Sequence, residues 1–192
     1  MPTHASGPSR EHIAVYAGSF DPITLGHLDV LRRARRMFDR IVLGIGHNPD
    51  KPALFSFEER VAMAQQLVRE MLAAEPAAAP VTVEHYTGLT VDFALKCGAA
   101  AMLRGIRNIT DLAAETQLAI TNRQVADIET VFIVTGEAYA FTSSSLIKQI
   151  AAFGGSLDRL RSIVPPAVIK ALKDKRKDPA HPLERLARES ME

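Results

Sequence analysis

Short apolar runs alternate with stretches of helical period along this chain, and that alternation admits few folds. Ile13 to Tyr16 is an apolar run that ends near a glycine, as a buried strand does. From Gly26 the period changes. Leu28, Leu31, Ala34 and Phe38 share one helical face, and Arg32, Arg33 and Arg36 point away from it. Arg40 to Gly46 reads as a second strand, broken by Asn48-Pro49-Asp50. Ser56 and Glu59 form a capping-box signature, and Val61, Ala64, Leu67, Val68, Met71 and Leu72 follow at core spacing. Ala73 to Pro80, rich in Ala and Pro, is expected to be a loop. Val81 to Tyr86, Ala100 to Leu103 and Thr130 to Val134 read as three further strands. Thr90 to Cys97, Asp111 to Gln124 and Ser143 to Phe153 read as helices, and a last one opens at Pro165-Pro166 and runs to about Lys177. The pattern predicts an α/β fold: a doubly wound, parallel, five-stranded sheet with helices on both faces and right-handed crossovers. Ligands of such sheets bind outside the C-terminal ends of the strands, where the strand order reverses.

The chain has 192 residues. That length suits one domain, placed at residues 12–177, with a polar lead over 1–11 and a charged tail over 178–192. A net charge of +1 implies no bulk attraction to nucleic acid or to an anionic membrane. The single cysteine, Cys97, excludes an intrachain disulfide framework and reads as a small buried hydrophobe. No apolar run approaches a membrane span, and the polar start does not read as a secretory signal, so a cytoplasmic protein is expected. Gly44-Ile45-Gly46 lacks the third glycine of a dinucleotide fingerprint, and neither a Gly-Lys-Ser P-loop nor a His-Glu-x-x-His spacing occurs. No structural metal is expected. The basic cluster Arg32 to Arg40 reads as a solvated helix face.

Four stretches after the expected strands carry chemistry. Gly18-Ser19-Phe20-Asp21-Pro22-Ile23-Thr24-Leu25-Gly26-His27 leads into the first helix, whose free N–H groups and positive dipole end favour phosphate; His27 adds a side-chain donor there. Asn48 to Phe55 holds Lys51, a point charge suited to an acceptor phosphate, although on spacing alone a solvated loop lysine is the better reading. Leu103-Arg104-Gly105-Ile106-Arg107 sets two arginines around a glycine. Their forks suit phosphate, or either could pair with a carboxylate such as Asp111. Tyr139-Ala140-Phe141-Thr142-Ser143-Ser144-Ser145 offers hydroxyls and N–H groups at a helix start, more than one N-cap requires.

Together these stretches resemble the nucleotidyltransferase superfamily, whose mark is Thr/His-x-Gly-His, here Thr24-Leu25-Gly26-His27. Within it they resemble the bacterial phosphopantetheine adenylyltransferases, from about Ile13 to about Lys173. Leu25 stands where that family more often has Asn, and Ala113-Ala114 where an acidic–aromatic pair is common. The resemblance implies a Rossmann-like fold and transfer of AMP from ATP to 4′-phosphopantetheine, giving dephospho-coenzyme A and pyrophosphate. It implies that His27 and Lys51 are catalytic. It implies ATP contacts by Ser19, Phe20, His27, Gly105, Ile106, Arg107, Glu115 and Tyr139, Ala140, Phe141, Thr142, Ser143, Ser144, Ser145. Ser19, Lys51, Thr90 and Arg104 would contact the acceptor. By spacing alone Glu115 would be an exposed helix glutamate. Mg²⁺ accompanying ATP, a homohexamer, and feedback by coenzyme A are implied in the same way. Two alternatives stay open: another phosphate acceptor, such as nicotinamide mononucleotide, or a nucleotide-binding sensor that kept the fold without the activity.

Overall fold

The structure is a computed structural model and describes residues 11–47, 53–153 and 156–177. Strands and helices alternate as β1 (Ile13–Gly18), α1 (Leu25–Ala34), β2 (Arg40–Gly46), α2 (Phe57–Ala74), β3 (Val81–Tyr86), α3 (Thr90–Lys96), β4 (Ala101–Ile106), α4 (Ile109–Ala126) and β5 (Glu129–Val134). Helices α5 (Ser144–Ala152) and α6 (Pro166–Lys177) follow, with short 3₁₀ turns at Glu137–Tyr139 and Leu157–Ser162 that the sequence pattern did not suggest. The strands form one sheet in the order β3-β2-β1-β4-β5, and every pair is parallel. The doubly wound α/β fold expected from the alternation is the one observed. The order reverses between β1 and β4, which leaves a crevice at their C-terminal ends.

Successive side chains of a strand point to opposite faces, so β1 feeds two cores. Ala14 and Tyr16 join the larger cluster with Leu28 and Leu31 of α1, Leu67 and Val68 of α2, and Val168 and Leu172 of α6. Ile13, Val15 and Ala17 join the smaller one with Met102, Val91 and Phe93. Cys97 packs, partly buried, against that smaller cluster. Each buried Leu or Val contributes about 2 kcal/mol of transfer free energy.

Besides the 3₁₀ turns, the structure departs from the sequence reading at several points. Helix α1 ends at Ala34, so Phe38, expected on its apolar face, lies beyond it. Helix α2 continues through Ala73 and Ala74, residues expected to be loop; the Ser56–Glu59 capping box starts it as expected. Strand β4 reaches Ile106, so Arg104 and Gly105 stand within the strand and pair across to Phe132 and Ile133 of β5. Arg35 does not belong to a solvated face. It is 2% exposed and donates to the carbonyls of Glu75, Ala78 and Ala79 at 2.7, 3.0 and 2.6 Å. Those loop carbonyls lack ladder partners, and a fork-shaped donor just past the end of α1 supplies them. Lys51 and the rest of residues 48–52, Gly154-Gly155, the lead except Glu11, and the tail lie outside the described residues.

Candidate active site

The loop between β1 and α1 is fixed from several sides. Asp21 is buried; its two carboxylate oxygens accept the N–H groups of Phe55 and Leu54, each at 2.9 Å, and Lys148 of α5 lies 3.3 Å away. The Ser144 hydroxyl donates to the Pro22 carbonyl at 2.8 Å. Phe20 adopts a left-handed backbone (φ 46°), an uncommon conformation for a residue with a side chain, and its buried ring makes edge contacts with Tyr16 and His27 that hold it there.

His27 sits at the third position of α1 and completes a capping box with Thr24. The Thr24 hydroxyl accepts the His27 N–H at 3.3 Å, and the Thr24 backbone N–H donates to His27 Nδ1 at 3.0 Å. A backbone N–H can only donate, so Nδ1 is the unprotonated nitrogen and the ring proton sits on Nε2. Burial, with the Arg107 and Arg104 charges adding to it, pushes the imidazole down to about 4. His27 is therefore a neutral N–H donor at neutral pH.

Arg104 and Arg107 are built to one scheme. Arg104 gives Nε and Nη2 to the two oxygens of Glu115 at 2.7 and 2.6 Å, and Nη1 to the carbonyl of Ala17 in β1 at 2.8 Å. Arg107 gives Nε and Nη2 to Asp111 at 2.7 and 3.0 Å, and Nη1 to the carbonyl of Thr142 at 2.7 Å. Both carboxylates lie on α4, one turn apart. Burial opposes the Arg104 charge, but the Glu115 pair more than offsets it and leaves its pKa above the ordinary value. Of the five N–H groups on each guanidinium, three are engaged, which leaves one on each Nη among the described residues. Glu115 is thus half-buried and paired, not the exposed glutamate its spacing suggested.

These groups meet at the crevice between β1 and β4, in a cleft of roughly 270 Å³. Of the residues the sequence nominated, Ser19, Phe20, His27, Arg104, Gly105, Arg107, Glu115, Tyr139, Thr142, Ser143, Ser144 and Ser145 line it. Gly105 admits no side chain: a Cβ there would lie 2.9 Å from Val30 of α1. The three serines have divided roles. Ser143 caps α5 by accepting the Leu146 N–H at 3.0 Å, Ser144 ties α5 to the β1–α1 loop, and Ser145 faces the cleft.

Ile106, Thr90, Ala140 and Phe141 are not among the lining residues. Ile106 is buried in the sheet, Phe141 is 90% exposed, and the Thr90 hydroxyl lies 2.9 Å from that of Tyr86. The sequence reading missed Tyr16 and Thr135, which line the cleft. Burial pushes the Tyr16 phenol well above its ordinary range, which keeps it a hydroxyl. Its place on an apolar strand, alternating with core residues, carried no polar signal.

Residues 15–150 match the cytidylyltransferase-like family. The chain is 47% identical over 174 residues to a phosphopantetheine adenylyltransferase of Rhodopirellula baltica, a match covering 90% of this chain and 93% of that one. It is 44% identical over 161 residues to a phosphopantetheine adenylyltransferase of Moorella thermoacetica, covering 83% and 94%. Among solved structures it is similar in fold to a bifunctional NMN adenylyltransferase/ADP ribose pyrophosphatase from Francisella tularensis. That likeness has a TM-score of 0.65 at 16% identity and covers 95% of this chain and 54% of the other, and it bears on fold alone.

Proposed function

The chain belongs to the phosphopantetheine adenylyltransferase family and transfers an adenylyl group to phosphopantetheine in coenzyme A biosynthesis, and we propose that it does so from ATP by positioning and charge stabilisation, without a general base. The observation that supports this best is the convergence of His27, Arg104, Arg107 and the start of α5 on one cleft at the reversal of strand order.

A phosphate monoester is mostly dianionic near neutral pH and needs no proton removed. One of its oxygens attacks the α-phosphorus of ATP, the bond from that phosphorus to the bridging oxygen breaks, and pyrophosphate leaves with the bonding electrons. Negative charge on the α-phosphoryl oxygens then has to be met by fixed donors. His27 Nε2–H supplies one of them from a preorganised capping box; of the first-turn amides, Leu25 N–H is taken by the Ile163 carbonyl and His27 N–H by the Thr24 hydroxyl, which leaves that of Gly26 as a second donor. Because His27 is neutral, it donates a hydrogen bond and transfers no proton.

Arg104 takes the acceptor phosphate and Arg107 the ATP phosphates, each through its two remaining N–H groups. Glu115 and Asp111 keep those forks aimed. The further contacts assigned by resemblance to Ser19, Phe20, Gly105, Ile106, Glu115, Thr90 and the segment Tyr139 to Ser145 belong to the same proposal, as does the catalytic role of Lys51.

Mg²⁺ is proposed to arrive on the triphosphate. Among the described residues no three His, Cys, Asp or Glu side chains gather, and the one carboxylate lining the cleft, Glu115, is engaged by Arg104. Phosphate and water oxygens suit that ion, which would neutralise charge on the phosphates.

Self-association is proposed through α4. Its Ile109, Leu112, Leu118, Ile120 and Val125 are exposed, and only Asn122 is buried. The hexamer and coenzyme A as an inhibitor at the same cleft are carried by the resemblance, and a cytoplasmic site of action is proposed from the sequence pattern. No helix among the described residues is long and apolar enough to cross a membrane.

Pyrophosphate release on mixing the protein with ATP and 4′-phosphopantetheine tests the activity. Release with nicotinamide mononucleotide and none with phosphopantetheine would move the assignment to another acceptor; release with no acceptor in a panel would leave a sensor.

A further inference from the structure

Ser19 and Gly46 lie just beyond the last β1–β2 rung, which pairs Gly18 with Ile45. There the two strands present carbonyls to a common neighbour, and two acceptors cannot bond to each other. The neighbour is Arg60 of α2: its Nη1 donates to the Ser19 carbonyl at 2.7 Å and to the Gly46 carbonyl at 3.0 Å. Arg60 is 4% exposed, and its guanidinium lies 5.4 Å from the centre of the Phe57 ring.

A guanidinium buried at this point is costly, and its Nε has no hydrogen-bond partner among the described residues. The Asp21 and Glu58 charges offset part of that cost, but neither carboxylate forms an ion pair with the guanidinium among the described residues. The nearby Asp21 is already satisfied by two backbone N–H groups and Lys148, and Glu58 is engaged by the Ser56 hydroxyl at 2.9 Å. What Arg60 does directly is join two carbonyls at the rim of the cleft, one of them belonging to a residue that lines it.

We infer that Arg60 is a positioning residue for adenylyl transfer, which acts as an extra rung between β1 and β2 and so fixes where Ser19 stands in the cleft. The inference rests on the adenylyl-transfer reading of that cleft. Arg60 touches no substrate; it acts through the Ser19 backbone. Small misplacements of a reacting geometry cost up to about a hundredfold in rate, so loss of this rung should appear in kcat more than in KM.

The test compares wild type with Arg60→Met, which fills the volume without donating, by pyrophosphate release with ATP and phosphopantetheine and by thermal melting. Arg60→Met is expected to lose about tenfold or more in kcat, with KM for ATP within about twofold. Arg60→Lys, which keeps a donor near both carbonyls, is expected to fall between the two. A folded Arg60→Met with kcat within about threefold of wild type overturns the inference, as does a loss that merely tracks the unfolded fraction. Should Arg60→Met fail to fold, Arg60→Gln is read by the same limits. If wild type itself releases no pyrophosphate, the reading of the cleft fails. Amide hydrogen exchange at Ser19 and Phe20 then decides for Arg60: faster exchange in the variant supports the rung, and unchanged exchange overturns it.

Discussion

β1 and β2, at the centre of the sheet, are buried almost from end to end, whereas β5 and the helix α4 before it keep most of their apolar side chains half covered or bare. The first region finds every partner inside one chain: α1, α2 and α6 close over it, and the loop leaving β1 is held by Asp21, Ser144 and Arg60. The second offers one buried residue in eighteen along α4. Yet α4 supplies Glu115 and Asp111, which aim both cleft arginines. One side of the sheet is closed over by helices of this chain, and the other supplies orientation while leaving apolar surface exposed.

The sharpest way to break this contrast is through the closed-over side. His27→Ala should lower kcat by about a hundred- to a thousandfold, the usual cost of one preorganised donor, with the fold kept. Steady-state pyrophosphate release checks it, and near-normal turnover would remove His27 from the chemistry. Next in size, Leu43→Ala at the fully buried centre of β2 should cost about 2–5 kcal/mol in urea unfolding.

Acid should weaken the same side. The His27 imidazole sits at about 4 in the folded chain and at the ordinary 6.5 unfolded. The unfolded state therefore binds its proton first, so this contribution is full above about pH 6.5 and is lost as pH falls through about 4. A protonated Nδ1 also could not accept the Thr24 N–H. Because His27 borders an open cleft, the loss is on the order of 2 kcal/mol; urea unfolding at pH 7 and pH 4 should show it in wild type and not in His27→Gln. The smallest effect belongs to α4. Leu118→Ala should change the unfolding free energy of dilute monomer by no more than about 0.5 kcal/mol. Leu118→Asp at high protein concentration should lower the mass seen by light scattering; an unchanged mass would place self-association elsewhere.

How far the sequence could be read follows from where the partners lie. The bounds of β2 and β3 were legible because Pro, Asn and Gly punctuate their ends. β4 was read three residues short, since Arg104 and Gly105 interrupt its apolar pattern, and only β5 alongside shows that pairing continues. Both halves of the Ser56–Glu59 box lie three residues apart and announced themselves. Arg35, Asp21 and Arg60 did not. A charged residue that serves backbone groups thirty or forty positions away has no local signature. Glu115 was placed in the site by resemblance and not by spacing, because its partner Arg104 lies on another element, eleven residues back.

The paired arginines also bear on how ligands reach the cleft. Each guanidinium carries its own counter-ion a few ångströms away, so this pair of arginines projects little field beyond a Debye length, and a net charge of +1 adds almost none. Its selectivity for anions is one of contact and direction, not of range. Capture of a phosphorylated ligand should therefore proceed at an unsteered rate that changes little between dilute buffer and physiological salt.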